Sequence, residues 1–465
     1  MSELNRRTFL KLLGQGTAAL GMGFSLSAGT ACAKEDSGKT AETVNINTPG
    51  KYQIFQPGEY LDWEKGIIEE RFAEAKRGPR KGAELSLPGG GVEVIKEEDI
   101  LNFNRKWDPY NPLFNDRDYT RKAGYPGIPA WPTFKGPRGS GVSQIPKDMA
   151  DLHYFSNDGT DMHVWTYIFA GDSFTSETES IEFEDITVPG SDLRMFKLGS
   201  SAKMYNAKGE QVGWSYANTR EAYRQIIDGS PKPSFSEHMT AWVKDFPPAH
   251  YTTDEEWDYV RELWKKESIR GSSKLYWEDV NVGDEPTWIC SGPISYMDIV
   301  GWYGGGQNGI LMRDERNNPN EMFRDRYGQY FSLGAAHYGG RNIPGARAIY
   351  YNDTAAKHMT RAITNYIGDA GLVTRIRWIF YKIFKEMRIE RPGGEYLDKV
   401  PYMKGKEVNR HGSEGDTVIG KSYVSDKYIN DRGEYTIDLT CWGETLDGDI
   451  VTVVAASAKL PSRKG

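Results

Sequence analysis

The amino-acid sequence predicts an α+β fold in which an antiparallel sheet wraps around a buried helix, with that unit present twice. Three observations carry the expectation. Lys203 to Ala217 (KMYNAKGEQVGWSYA) and Thr440 to Thr452 (TCWGETLDGDIVT) each read as a strand, a tight Lys-Gly or Asp-Gly turn and a second strand. Each of these hairpins follows a Gly-x-Asp or Gly-Asp step, Gly190-Ser191-Asp192 in one and Gly415-Asp416 in the other. Within the second unit, Asp353 to Gly368 places Met359, Ala362, Ile363, Tyr366 and Ile367 at helical spacing, with Gly368 as the stop. That stretch is apolar enough to be buried ahead of a run of strands. Two unrelated hairpins are the competing reading.

The elements then follow in chain order. Asn5-Arg6-Arg7-Thr8-Phe9-Leu10-Lys11 is a twin-arginine motif, followed by a Gly/Ala/Leu-rich run to about Ala28 and small residues at Ala31-Cys32-Ala33. Gln15 and the glycines make the run weaker than a membrane-spanning helix, so residues 1–33 read as a removable export leader. A lipoprotein reading of Cys32 is poor, because Gly29 stands where an aliphatic residue is expected. Residues 34–60 are polar and weakly patterned, a linker by composition. The first unit is assigned to 61–245 and the second to 275–465. Between them, 246–274 contains Thr252 to Lys266, a helix with a Thr cap, early acids and Trp257, Val260, Leu263 and Trp264 on one face.

Composition bounds the function. Of 465 residues, 38% are hydrophobic and 12% aromatic, enough for sizeable cores and too apolar for disorder. A net charge of -7 argues against a nucleic-acid partner. Three cysteines are too few for a Cys-ligated cluster or a disulfide framework, although export permits a Cys290–Cys441 bridge. Gly304-Gly305-Gly306 lacks the Lys-Ser/Thr of a phosphate loop, and Arg313 to Arg326 lacks the alternation of a calcium loop. Neither His-Glu-x-x-His nor Gly-x-Ser-x-Gly occurs. No metal and no cofactor are expected.

Several stretches together resemble one family. Asn111 to Tyr125 (NPLFNDRDYTRKAGY), Gly127 to Phe134 (GIPAWPTF), Tyr205-Asn206 with Gly209-Glu210, and Thr219-Arg220 come from the first unit. Arg270-Gly271, Tyr276 to Val280, Val282-Gly283-Asp284, Gly292-Pro293-Ile294, Thr364 to Asp369 and Leu460-Pro461-Ser462 come from the second. In this order they resemble the MaoC-like dehydratases over nearly all of 60–463. The resemblance implies a double hotdog fold, two antiparallel sheets each wrapped around a long helix and packed sheet to sheet. It also implies hydration of a double bond or dehydration of a β-hydroxyacyl thioester by an Asp/His pair sharing one water. A backbone N–H at the N-terminus of the buried helix would polarise the carbonyl.

The family signature, Asp-x-Asn-Pro-x-His, is altered in both units. Asp108-Pro109-Tyr110-Asn111-Pro112-Leu113-Phe114 has an extra residue and a Phe in the His position. Gly306 to Asp314 places Gln307 for Asp and Met312 for His. Replacement catalytic candidates are His337, in Gly334 to Gly340 where relatives carry a His, with Tyr338 beside it; His358 on the buried helix; and Asp108. Substrate-binding candidates are Asn111, Tyr119, Asp314 and Tyr351. Asp116 and Asp353 read as caps.

The expected function is a lyase that adds or eliminates water on a small, largely apolar carbonyl or conjugated substrate. Relatives in the cytoplasm use coenzyme A thioesters, and the leader points to a periplasmic or extracytoplasmic location where a free substrate is expected. The alternative is a binding or accessory protein that has lost its dyad. A homodimer is a further expectation from hotdog pairing, and no membrane span is expected after leader removal.

Overall fold

The computed structural model describes residues 51–77, 79–81, 94–137, 145, 149–231, 252–294, 322–324, 330–332, 349–350, 352–379, 381, 387 and 389–464. The first half contains helices α1 (Asp62–Ala75), α2 (Glu97–Trp107), α3 (Pro112–Asn115) and α4 (Arg117–Lys122). Its strands are β1 (Arg80–Lys81), β2 (Leu152–Val164), β3 (Phe174–Asp185), β4 (Arg194–Asn206) and β5 (Gln211–Arg224). Helix α5 (Asp254–Lys266) connects to a second half with β6 (Ile289–Ser291), α6 (Asn352–Ile367), β10 (Leu372–Ile379), β12 (Val418–Ile429), β13 (Tyr435–Thr445) and β14 (Ile450–Lys459). Short ladders join β7 (Met322–Arg324) to β8 (Tyr330–Ser332) and β9 (Ile349–Tyr350) to β11 (Gly412–Ser413).

Strand order shows the duplication. The main sheet runs β1-β3-β4-β5-β2-β10-β14-β13-β12-β6, with each neighbouring pair antiparallel. Counted inward from either edge, the first half reads first, third, fourth, fifth and second of its own main strands, and the second half reads the same. The helical segment lies between the first and second main strands in both. The fold is an α+β double hotdog. The two halves meet edge to edge through β2 and β10, where the resemblance implied face-to-face packing. At this junction Gly159 has φ 148°, and a Cβ there would lie 2.2 Å from the Trp378 carbonyl oxygen, so only glycine lets the strands close.

The hairpins form where the sequence places them, with Gly209 and Gly448 at φ 78° and 83° in the turns. Thr253, rather than Thr252, caps α5 in a reciprocal pair with Glu256, and Trp257, Val260, Leu263 and Trp264 are buried on one face. In α6, Met359, Ala362, Ile363 and Ile367 are at most 1% exposed and pack on Val373, Ile376 and Val418. Burying each of the larger ones is worth about 1.5–3 kcal/mol.

The first half divides its inner face between two helices. Ile68 of α1 packs with Ile181, Phe183 and Phe196, and Ile100 of α2 packs with Phe174 and Met204. Residues 51–60 run along this half, with Phe55 buried and Tyr52 bridged to Ile226. Cys290 and Cys441 are unlinked: β12 lies between them, with Cys290 opposite Ile419 and Cys441 opposite Ser422. No helix among the described residues is long and apolar enough to cross a membrane.

Candidate functional site

The halves share a core at a seam, where α2 to α4 and the 129–134 segment meet α6. Trp107, Leu113, Phe114 and Trp131 of the first half belong to the same buried cluster as Met359, Ile363 and Ile367. The altered signature begins where α2 ends. Pro109 disfavours helical geometry at Asp108, which leaves the helix at φ -153°, ψ 77°. Asn111 caps α3, its Oδ1 accepting from the Leu113 N–H at 3.1 Å, with Pro112 in the first turn. Phe114, in the family's His position, is 1% exposed and packs edge-on to Trp131 at 4.9 Å. Phe114 is part of the buried core.

Asp116 caps α4 by accepting from the N–H groups of Asp118 and Tyr119 at 2.8 and 3.0 Å, as the sequence predicts. That helix carries Tyr119 to the far half, where its hydroxyl donates to Asp369 Oδ2 at 2.7 Å. Asp369 is set by the end of α6. Gly368 takes φ 67°, and its own amide still bonds the Thr364 carbonyl at 3.2 Å. The Asp369 N–H then donates to the Gly271 carbonyl at 3.0 Å. Tyr125 donates to the Asp369 carbonyl, and Tyr167 to the Gly371 carbonyl at 2.6 Å. The Tyr125 and Tyr167 rings meet edge to face at 5.3 Å.

Burial pushes the Asp369 carboxyl above the ordinary carboxylate range, and the Tyr119 hydrogen bond opposes this only in part. Burial, then the bond to Asp369, raises the Tyr119 hydroxyl, and burial raises Tyr167 well above the usual phenol range. Tyr119 therefore donates to the carboxyl as a neutral phenol, while Tyr125 and Tyr167 donate to the backbone beside it. Asp369, Asn111, Thr364 and Tyr167 border a cavity of about 10 Å³, room for about one water. Pro132, Tyr167 and Val373 also border a second, more apolar cavity of about 30 Å³.

At the other end of the seam, His358 is 2% exposed and its ring stands edge-on to Trp107 at 5.5 Å. Burial, then the charges of Arg361 and Lys357, hold this imidazole well below its usual pKa, so it is neutral. Asp108 follows Trp107 directly and is fully buried; its carbonyl accepts from Asn115 Nδ2 at 2.8 Å. The structure thus links His358 to Trp107, the residue before Asp108, and brings Asn111 and Tyr119 to the Asp369 end. His337, Tyr338, Asp314 and Tyr351 lie outside the described residues. No group of three metal-ligating side chains occurs among the described residues.

Sequence reasoning missed Asp369, Tyr125, Tyr167 and Asn104 as site residues. Asn104, fully buried on α2, donates to the carbonyls of Phe114 and Pro129 at 2.6 and 3.0 Å and accepts from the Trp131 N–H at 2.7 Å. The one available signal was the helix stop at Gly368, which puts Asp369 at a fixed exit.

Comparison with known proteins adds remote likenesses. No family model matches the chain, and no curated protein matches it. Among solved structures, a MaoC-like dehydratase is 14% identical with a TM-score of 0.43, covering 82% of this chain and 98% of the other. A putative MaoC domain protein dehydratase from Chloroflexus aurantiacus is 12% identical, TM-score 0.40, covering 84% and 99%. A conserved hypothetical protein from Mycobacterium tuberculosis with a double hotdog fold is 12% identical, TM-score 0.39, covering 83% and 97%. At these scores the fold assignment rests on the strand order itself.

Proposed function

We propose that this chain is an exported hydro-lyase-like enzyme that adds or eliminates water on a small, largely apolar carbonyl or conjugated substrate. The observation that carries the reading is the water-sized polar cavity bordered by Asp369, whose carboxyl burial raises. In the hydration direction the Asp369 carboxylate takes a proton from the cavity water as its oxygen adds to the carbon β to the carbonyl. The protonated carboxyl, favoured by burial, then returns that proton to the α carbon, so one group serves as base and acid. Asn111 and Tyr167 orient the water, and Tyr119 holds Asp369. His358, held neutral against Trp107, is a weaker candidate because its surroundings disfavour taking up a proton; His337 and Tyr338 keep their sequence-based candidacy.

The twin-arginine motif at Arg6-Arg7 is the basis for reading the folded chain as exported, and with it a free substrate in place of a coenzyme A thioester. Incubating the exported protein with unsaturated and hydroxylated carbonyl compounds tests the reading. A mass change of one water that is lost in Asp369→Asn supports it, and no change across the panel counts against it. The burial of Phe114 in the His position favours a second reading, a binding protein that keeps the fold without turnover. Saturable ligand binding with no water gained or lost would select it.

A further inference from the structure

The Trp131-Pro132-Thr133-Phe134 turn has features that packing leaves unexplained. The Phe134 N–H donates to the Trp131 carbonyl at 3.0 Å, with Pro132 in the second position and Thr133 in the third at φ 80°. A type II geometry asks for glycine or asparagine at that third position. A β-branched residue held there is strained, and such strain persists only where the surroundings impose it. The surroundings are the Asn104 clasp, which fixes the Trp131 amide and the Pro129 carbonyl. Thr133 Oγ1 and Trp131 Nε1 are both buried without a hydrogen-bond partner among the described residues. Both residues line the 30 Å³ cavity, beside Phe134, Met162 and Ile376. Two unsatisfied donors in a mostly apolar wall leave room for one missing acceptor.

We infer that this turn is a carbonyl-binding subsite, in which the Trp131 indole N–H and the Thr133 hydroxyl donate to one carbonyl oxygen of a small apolar ligand. The cavity accepts the carbonyl head and the carbons beside it, and its partly open side leaves the remainder outside. Tyr167, Pro132 and Val373 border both this cavity and the water-sized one, so the subsite lies next to the cavity bordered by Asp369. The inference deepens the hydro-lyase reading by placing the carbonyl, and its test reads binding, so either can fail while the other stands.

The probes are mesityl oxide and the hydrocarbon analogue in which a methylene replaces its carbonyl oxygen. Binding is followed by ligand-observed NMR, and the bound ketone by its carbonyl carbon shift. Thr133→Gly removes the hydroxyl and the strain together, so its melting temperature should stay level or rise. The native chain should bind mesityl oxide with a downfield carbonyl shift. Thr133→Gly should bind it about five- to tenfold more weakly, the loss of one buried hydrogen bond. Trp131→Phe should act alike, and if this core substitution fails to fold, Thr133→Gly decides alone. The hydrocarbon should bind native and variant equally. Equal affinity of native and Thr133→Gly for the ketone, or no ketone binding at millimolar concentration, overturns the subsite.

Discussion

Asp161 offers a sharp test of the claim that the halves form one body. It lies on β2, and its carboxylate accepts from Arg375 of β10 through Nε at 2.9 Å and Nη2 at 2.7 Å. His163 Nε2 stands 3.2 Å away and Arg377 Nη1 3.7 Å away. Burial alone would raise this carboxyl, but the hydrogen bonds and charges of Arg375 and His163 outweigh it and hold it well below the usual range. Asp161→Asn removes the charge and keeps one acceptor oxygen. The carboxylate is 10% exposed and Arg375 28%, so water recovers part of the loss. The expected cost is therefore about 2 kcal/mol, below the 3–5 of a fully buried pair. A group whose folded pKa is depressed stabilises the fold above its unfolded value of about 3.9 and stops doing so as pH falls through the folded value. Urea unfolding at pH 7 and pH 5.5 should show the same gap between native and variant, and the gap should narrow as pH falls below about 4. One cooperative transition is expected for both halves. A gap under about 0.5 kcal/mol, in the range of an exposed pair, or two separate transitions in the native chain, would refute the interlock.

Two more outcomes follow from the seam. Asn104→Ala strands two carbonyls and one N–H in the core and should cost about 3–5 kcal/mol by urea unfolding, with the unfolding slope unchanged. His358 stays neutral when folded, whereas the unfolded chain takes up a proton near pH 6.5, so native stability should decline as pH falls below about 6.5. His358→Phe should flatten that decline, and an unchanged slope between pH 6.5 and 5 would contradict the buried neutral imidazole.

What the sequence made legible was local. The Lys208-Gly209 and Asp447-Gly448 turns, the α5 face and the α6 stripe all announce themselves within a few residues, because turn chemistry and 3.6-residue periodicity are short-range signals. Helix α1 escaped because its buried positions include Glu64 and Arg71 beside Ile68, so it has no apolar stripe. Glu64 is buried against Arg194 of β4 at 3.0 Å, a partner 130 residues away. The site follows the same division. Asn111 and Tyr119 were visible in their motif, but Tyr119 acquires its partner Asp369 only when residues 250 apart meet at the seam. Tyr125 and Tyr167 read as ordinary members of a tyrosine-rich chain until both are placed on the 369–371 loop. The Phe114 substitution was equally plain in sequence. Its consequence, a core ring against Trp131, belongs to the packing.

The proposed transfer of a proton between water and carbon by the Asp369 carboxyl can be read isotopically. The most direct measurement is incubation of the native chain and Asp369→Asn with a conjugated carbonyl substrate in oxygen-18 water, with the label in the hydroxylated product read by mass spectrometry. The native chain should incorporate the label, and Asp369→Asn should do so at least about a hundredfold more slowly, the contribution of one acid–base group. Equal incorporation by both proteins would contradict the account.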